Sequence, residues 1–337
     1  MSEQSIIDWM KNSNNRACRF LAGNDFVQEL AKNLKIEHVQ VSPRKKSENS
    51  FQFVCDSRSK SETLIEIFGI PSERKELFRQ KFKEAISGDG QEVRRINRLG
   101  SSSLLALLCF YSVSDKNRLN IKLNGQECSF YDVHFECRNH IDKDGDKCSN
   151  IDVLLLGRDS DENPIALFLE SKFSECFARC QKLDGISNSY RDLYDRFQLE
   201  DGWEFLKYEK SDKSDNELQI ASRDGKAHYC QGIKQMISHY RGLETICSSY
   251  NRQTQYGDAE HKIEGDIYLG TIVYDFGEDE YLKDYTHLYE ELVDHFPKQN
   301  NITLVEELLT YNYIFGETGA NNRFTLDNKI GQFYFPN

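Results

Sequence analysis

Two acidic residues and a lysine lie near the ends of two neighbouring apolar segments. "NIDVLLLG" (150–157) carries Asp152 near its start, and "IALFLESKF" (165–173) carries Glu170 and Lys172 near its end. Carboxylate oxygens are preferred ligands of Mg²⁺, which commonly takes one or two carboxylates and keeps several waters. A metal ion held by Asp152 and Glu170 would polarise a bound phosphate and lower the pKa of a water, which Lys172 could position or deprotonate. These residue types indicate phosphodiester hydrolysis.

Strand geometry would bring these side chains together. Alternate side chains of a strand share a face, so Glu170 and Lys172 lie on the same side. The turn "RDSDENP" (158–164) is rich in Asp, Asn and Pro and predicts a hairpin, which places Asp152 beside Glu170 if the register allows. The preceding segment "DVHFECRN" adds Glu136 as a third acid. The alternative is a solvated cross-strand ion pair, which contributes only about 0.2–1 kcal/mol.

The elements around these residues predict an α/β fold with a mixed central sheet flanked by helices. An antiparallel meander from about residue 120 follows a buried helix and precedes a second helix and a core strand. The other predicted elements are a helix within 100–114, helical structure in 174–200, an exposed loop at 206–226, a helix at 228–246, a strand at 266–276, a helix at 281–296, and either a strand then a helix or a helix alone at 302–315.

Charge divides the chain unevenly. Residues 1–100 hold 18 Lys and Arg against 14 Asp and Glu, whereas the remainder holds 25 against 41. Helical apolar spacing predicts a mainly helical N-terminal region at 1–99, followed by a domain at 100–337. The basic clusters "PRKK", "ERKELFRQKFK" and "RRINR" in this region are candidates for phosphate contact. The alternative is that these mixed-charge segments only solvate an exposed face.

Asp152, followed on the next strand by Glu170-Ser171-Lys172, resembles the motif of the PD-(D/E)XK nuclease superfamily. More closely, the succession "SSSLLALL", "FEC", "NIDVLLLG" and "LFLESKFSE" resembles a bacterial group classed with restriction endonucleases and mostly of unknown role. This resemblance covers roughly residues 100–275. The resemblance implies a restriction-endonuclease-like core for the C-terminal domain. It further implies that Asp152 and Glu170 bind the metal ion and that Lys172 acts on the attacking water.

The resemblance extends to residues before and after this motif. Members of the superfamily often add an upstream glutamate, for which Glu136 is the candidate catalytic residue. They also carry a Gln or Tyr on the following helix, where Gln231 and Gln235 are the candidates for a supporting role. The stretch "QMISHY" is similar to the Gln-x-x-x-Tyr of exonuclease branches but is one residue longer.

The function implied is a Mg²⁺-dependent nuclease, with Mn²⁺ able to substitute, that cuts DNA in preference to RNA and acts as an endonuclease. Dimerisation would allow such an enzyme to cut both strands. Two alternatives remain open. The chain could be a catalytically inactive nucleic-acid-binding module on the same fold, or an interaction subunit whose acidic C-terminal part faces a basic partner.

Several classes of protein and site are excluded or disfavoured. No run approaches the ~20 apolar residues of a membrane span, and the first residues lack signal-peptide features, so we expect a cytoplasmic protein that contacts no membrane. The ten cysteines contain no CxxC, which argues against structural zinc and favours reduced thiols. The histidines form no HExxH, and His228 and His239 would lie three helical turns apart. No histidine is therefore predicted to bind metal.

Overall fold

A nine-stranded mixed sheet runs through the part of the chain that the computed structural model describes. The described residues are 3–40, 49–55, 59–87, 92–141, 148–173, 185–186, 203–207, 218–223, 226–227, 231–249, 251–277, 280–294, 296, 301–316 and 324–336. The strands are β1 (Ile36–Gln40), β2 (Asn49–Phe53), β3 (Leu119–Leu123), β4 (Gln126–His140), β5 (Cys148–Asp159), β6 (Pro164–Lys172), β7 (Gly185–Ile186), β8 (Trp203–Lys207), β9 (Leu218–Arg223), β10 (Lys226–Ala227), β11 (Gln253–Tyr256), β12 (Ala259–Lys262), β13 (Asp266–Val273), β14 (Ile302–Leu304) and β15 (Leu309–Thr310).

Helices pack on both faces of this sheet. They are α1 (Glu3–Lys11), α2 (Arg16–Leu21), α3 (Asp25–Lys32), α4 (Lys60–Phe68), α5 (Lys75–Ala85), α6 (Glu92–Arg95), α7 (Ser102–Phe110), α8 (Gln231–Ser248), α9 (Glu280–Asp294), α10 (Tyr311–Phe315) and α11 (Asn328–Tyr334). Residues 1–99 therefore hold α1–α6 together with the antiparallel pair β1–β2. None of the helices in the described ranges is long and apolar enough to cross a membrane.

The strand order of the large sheet is β12-β11-β4-β5-β6-β13-β14, with β3 beside β4 and β15 beside β13. The strands β4, β5 and β6 form an antiparallel meander. The strand β13 then runs parallel to β6 along its length, and β14 and β15 run parallel to β13. The short strands β7–β10 form a separate sheet. The chain thus passes through α7, the meander, α8 and β13 in that order.

Two apolar cores lie on opposite faces of the large sheet. The larger core combines the N-terminal helices, α7, α10 and α11 with one face of the meander. The smaller core packs α8 and α9 on the other face. The alternation along β6 shows the division, because Leu167 and Leu169 face the larger core whereas Ala166 and Phe168 face the smaller one.

Local sequence explains the elements that frame the meander. Ser101 caps α7 by accepting a hydrogen bond from the Leu104 N–H at 3.2 Å, and the apolar run that follows suits a helix buried on every side. The β5–β6 turn is closed by Asp159, whose Oδ1 accepts hydrogen bonds from the N–H groups of Asp161 and Asn163 at 2.9 and 2.8 Å. An Asp that binds its own turn in this way fixes the hairpin.

The predicted α/β class, with a mixed sheet flanked by helices, is confirmed, as are the buried helix before the meander and the hairpin at 158–164. Residues 302–315 form two short strands followed by a helix. The exposed loop predicted at 206–226 is wrong in part, because β9 lies within it and pairs with β8. Most of 174–200, predicted as helical, lies outside the described residues.

Candidate active site

Three acids come from three adjacent strands of the meander. Phe135 pairs with Val153 and Cys137 with Ile151, so Glu136 on β4 and Asp152 on β5 occupy the facing positions between these pairs. The last pair of the β5–β6 ladder is Val153 with Leu169. Asp152 and Glu170 are the next residues beyond this pair on β5 and β6. The meander therefore brings all three acids to the level of the sheet at which β6 ends, while β4 and β5 continue past it.

Glu170 is a buried carboxylate held by two nitrogen groups. Its side chain is 3 % exposed. Oε1 accepts a hydrogen bond from Lys172 Nζ at 2.5 Å, and Oε2 accepts one from His239 Nε2 at 2.7 Å. Burial by itself raises the pKa of this carboxyl, but the neighbouring Lys172 and His239 outweigh burial and bring the pKa down to about 2. Glu170 is therefore ionised at every physiological pH.

The hydrogen bonds continue on both sides of Glu170. Lys172 Nζ also donates to Gln235 Oε1 at 2.6 Å, and His239 Nδ1 lies 2.5 Å from Ser149 Oγ. Because a carboxylate only accepts, His239 Nε2 donates to Glu170, and the other ring nitrogen pairs with the Ser149 hydroxyl. Gln235 and His239 are four residues apart on α8 and share its sheet-facing side. One helix therefore positions both Glu170 and Lys172.

Asp152 is tied to the same motif through the backbone. It is half-buried, and its Oδ2 accepts a hydrogen bond from the Ser171 N–H at 2.7 Å. The Ser171 hydroxyl, on the other face of β6, lies 2.7 Å from Tyr311 Oη and 3.3 Å from the Ser102 carbonyl oxygen. The helices α7 and α10 thus fix Ser171 from one side of the sheet, while α8 fixes Glu170 and Lys172 from the other.

Glu136 has an unusual backbone conformation. Its φ is +52°, in the left-handed region, and its side chain is 5 % exposed. A residue with a Cβ reaches this region at a cost of about 1–3 kcal/mol, and such residues concentrate at functional sites. The apolar neighbours of Glu136 show the local change in the strand, because Phe135 packs in the larger core and Cys137 in the smaller one. The irregular backbone thus occurs at the position that faces Asp152.

The chemical types of the side chains at this site suit a magnesium ion. Within the described ranges no three His, Cys, Asp or Glu side chains are grouped so as to hold a metal ion. Magnesium does not need such a group, because one or two carboxylates, waters and substrate phosphate oxygens complete its shell. Asp152 and Glu170 would be those carboxylates. Each oxygen of Glu170 accepts one hydrogen bond from a nitrogen group, which leaves it a further lone pair for a metal ion.

The histidine in this network was missed by the sequence prediction, which considered histidines only as metal ligands. The spacing of four residues between Gln235 and His239 on a predicted helix was the available signal. His239 also occupies the fourth position after Gln235, where the Gln-x-x-x-Tyr pattern has tyrosine. Tyr240, by contrast, is a core residue whose ring packs 5.2 Å from that of Phe296. The side chain of Gln231 lies outside the described residues.

The hydrogen bonds that link Ser149 to His239 and His239 to Glu170 also match those of a hydrolytic triad with a serine nucleophile. Access argues against this chemistry. Ser149 is 2 % exposed, and α8 lies directly on it, because a Cβ added at Gly242 would be 3.3 Å from the Ser149 Cβ. No acyl group could reach the hydroxyl in this packing. Ser149 therefore serves to orient the His239 ring.

Comparisons with protein-family models, curated proteins and solved structures found no match for this chain.

Proposed function

We propose that this chain is a Mg²⁺-dependent nuclease, in which Mn²⁺ can substitute, that hydrolyses phosphodiester bonds, in DNA rather than RNA. The observation that carries the proposal is the buried, ionised Glu170 paired with Lys172 at the end of β6, beside Asp152 on β5. Removing an ion pair from water is costly, and well-packed apolar residues would often serve stability as well or better. Perturbed, buried charges of this kind concentrate at functional sites.

The finer parts of the proposal follow from the same motif. The chain would have a restriction-endonuclease-like core, act as an endonuclease and work in the cytoplasm, and a homodimer would allow it to cut both strands. The succession of α7, the antiparallel meander, α8 and the parallel strand β13 supports the core assignment, because it places the acids and the lysine on adjacent strands at the level where β6 ends.

The chain's own residues suggest how the site would accept a metal ion. When bound, Mg²⁺ would polarise the scissile phosphate and supply an activated water. Asp152 and Glu170 would hold the ion, Glu170 through a lone pair that its hydrogen bonds leave free. Gln235 would keep the Lys172 amine at the site through its own hydrogen bond. His239 would meanwhile hold Oε2, so the carboxylate keeps its orientation when the ion binds.

Lys172 and Glu136 would act next to the phosphate. The Lys172 amine would orient the attacking water or offset the negative charge that grows on the phosphoryl oxygens. Glu136 faces Asp152 across the β4–β5 ladder and would support the same site. The apolar cores on both sides of the sheet restrict water around these groups, which strengthens each electrostatic contact.

The test is cleavage of supercoiled plasmid, linear duplex, single-stranded DNA and structured RNA, each with Mg²⁺, Mn²⁺ or EDTA. We expect metal-dependent cutting, preferentially of DNA, that falls by about 10²-fold or more in Glu170→Gln and in Lys172→Met, because the first weakens a metal ligand and the second removes the amine that acts on the water or the phosphate. Arg158→Gln, at the far end of the β5–β6 ladder, is the matched control and should cut normally.

Cutting that persists in EDTA, or in both site variants, would refute the proposal. A wild-type protein that cuts none of the four substrates would refute it as well. Salt-sensitive binding to nucleic acid that needs no metal and is unaffected by Asp152→Ala, without cutting, would instead favour the inactive binding module.

A further inference from the structure

Four cations come together in the N-terminal region, and we call them the basic patch: Lys60, Arg94, Arg95 and Arg98. Lys60 begins α4, and its Nζ donates hydrogen bonds to the Val93 carbonyl oxygen at 2.6 Å and to Asn97 Oδ1 at 2.9 Å. These bonds fix α4 to the segment that carries the three arginines. Arg94 and Arg95 are exposed, while Lys60 and Arg98 are half-buried. The patch is therefore a built feature of the fold.

The basic patch has no acidic partner among the residues that the structure describes. Glu37 on the neighbouring strand β1 accepts its hydrogen bond from Gln52. Several arginines elsewhere in the described ranges are paired with acids, in the ion pairs Arg74–Asp327, Arg79–Glu62, Arg118–Asp115 and Arg158–Glu162. Like charges that are held together without a counter-charge repel each other, so this arrangement favours binding of an anion.

Arg98 shows the strongest sign of a missing partner. Its Nε is buried and has no hydrogen-bond acceptor within the described part of the chain. A buried donor without an acceptor costs about 1–3 kcal/mol. Burial, together with the nearby Arg95 charge, lowers the pKa of Arg98, and burial, with a smaller effect of Arg98, lowers that of Lys60. An incoming anion would relieve the repulsion and pair with the guanidinium.

The basic patch is connected through α7 to the strand that carries the motif. Arg98 is four residues before Ser102, whose carbonyl oxygen contacts Ser171 of the motif strand. Four residues span at most about 14 Å when fully extended. The segment is more compact than that, because the Ser101 N–H donates to the Arg98 carbonyl oxygen at 3.1 Å. One turn of duplex is about 34 Å, more than twice this span, so a short duplex is long enough to reach from Arg98 to the strand that carries the motif.

We propose that the basic patch binds the sugar-phosphate backbone of the nucleic acid whose scissile bond lies at Glu170 and Lys172, an inference that rests on the proposed function. Backbone contacts of this kind fix the register and orientation of a duplex without reading its sequence. Arginine suits the role because its planar guanidinium matches two phosphate oxygens at once. The patch thus positions the substrate, while the acids of the meander act on it.

The test measures binding to a 20-base-pair duplex by fluorescence anisotropy, in EDTA and over a series of salt concentrations. Without divalent metal the cutting step does not enter the measurement. The variant is Arg94→Gln with Arg95→Gln, both exposed and so harmless to folding. The matched control is Arg118→Gln with Arg158→Gln, which removes two exposed arginines that have acidic partners. Both double variants lose the same net charge.

We expect the patch variant to bind at least about tenfold more weakly at low salt. The slope of log affinity against log salt should become shallower by about 1.8, which is 0.9 for each phosphate contact removed. The control should keep the wild-type slope. Equal losses in both double variants, wild-type binding by the patch variant, or absence of duplex binding by the wild type would each overturn the proposal. So would binding to anionic lipid vesicles in place of duplex.

The outcomes separate this inference from the proposed function. Patch-dependent binding without metal-dependent cutting would support the binding role of the basic patch and refute the nuclease function. Cutting that needs Glu170 and Lys172, with binding indifferent to Arg94 and Arg95, would keep the nuclease and refute the patch.

Discussion

Glu170 depends on its neighbours in a way that a single substitution can reveal. Its two oxygens are shared between a lysine from its own strand and His239 from α8. We expect His239→Ala to lower the free energy of unfolding by about 1–3 kcal/mol, because it leaves a buried carboxylate oxygen without a donor. We also expect a rise of about 10- to 100-fold in the Mg²⁺ concentration that half-saturates cutting, since Glu170 loses its fixed orientation.

The measurements are urea unfolding and a Mg²⁺ titration of cleavage. Ser149→Ala is the matched control, because it removes the partner of His239 Nδ1 but leaves the contact with Glu170. Its effect on the Mg²⁺ midpoint should be smaller than that of His239→Ala. If His239 were purely structural, His239→Ala would lower stability but leave the Mg²⁺ midpoint of the folded fraction unchanged. This result would contradict the prediction.

At the scale of elements, a buried polar cluster joins α5 to the edge of the sheet. His134 on β4 lies 3.3 Å from Glu84 Oε2 and 3.2 Å from Asp132 Oδ2, and its ring stacks on Tyr256 of β11 with centroids 3.7 Å apart. Lys81 of α5 donates to the Val133 carbonyl oxygen. A protonated His134 would make two cations against two carboxylates, so the cluster would be neutral.

This cluster makes stability depend on pH. Burial alone would lower the pKa of His134, but hydrogen bonds with Asp132 and Glu84 raise it above its usual 6.5. A raised pKa in the folded state means that the stabilisation is complete below pH 6.5 and is lost as pH rises through the folded value. We therefore expect the free energy of unfolding to fall as pH rises above 6.5, measured by urea unfolding at a series of pH values.

His134→Gln should lower stability by about 1–3 kcal/mol at pH 6 and flatten this pH dependence, because the titrating group is gone. His261→Gln is the control, since His261 stacks on the other face of Tyr256 at 3.7 Å. It should keep the wild-type slope. A stability that rises with pH in this range, or an unchanged slope in His134→Gln, would show that the cluster does not titrate as expected.

The elements that the sequence predicts are those with strong local signals. The apolar run at 100–114 begins with its own N-cap and folds as a buried helix. The Asp-rich turn at 158–164 contains the side chain that closes the hairpin. The positions of Glu170 and Lys172 on one face follow from strand alternation, and their shared contact with α8 is consistent with it. The α/β class could therefore be derived from the sequence alone.

The features that the sequence does not predict depend on distant contacts. The left-handed backbone at Glu136 has no local signal, because a glutamate rarely adopts it and the surrounding strands impose it. The short strand β9 follows from pairing with β8, not from its own weak pattern. His239 needed the register of α8 against β6 before its role could be seen. Each of these follows from packing between segments far apart in the chain.

At the scale of the whole molecule, the N-terminal region and the sheet share one apolar core. Phe53 of β2, Phe68 of α4 and Phe333 of α11 form a cluster of rings with centroids 5.3–5.8 Å apart. Asn24 Nδ2 donates to the carbonyl oxygens of Gln332 and Phe333 at 2.7 and 3.0 Å. The last helix is thus held by residues from the first third of the chain.

This shared core predicts that the N-terminal region unfolds together with the rest. The fluorescence of Trp9 on α1 reports on that region. The chain has two tryptophans, and Trp203→Phe removes the other one. Urea unfolding followed by Trp9 fluorescence and by far-UV circular dichroism should give coincident transitions. Phe333→Ala should lower both midpoints equally, with a cost of about 3–5 kcal/mol, because it empties the ring cluster that joins the two parts. A Trp9 transition that comes first, or one that Phe333→Ala leaves in place, would show that the N-terminal helices fold independently of the sheet.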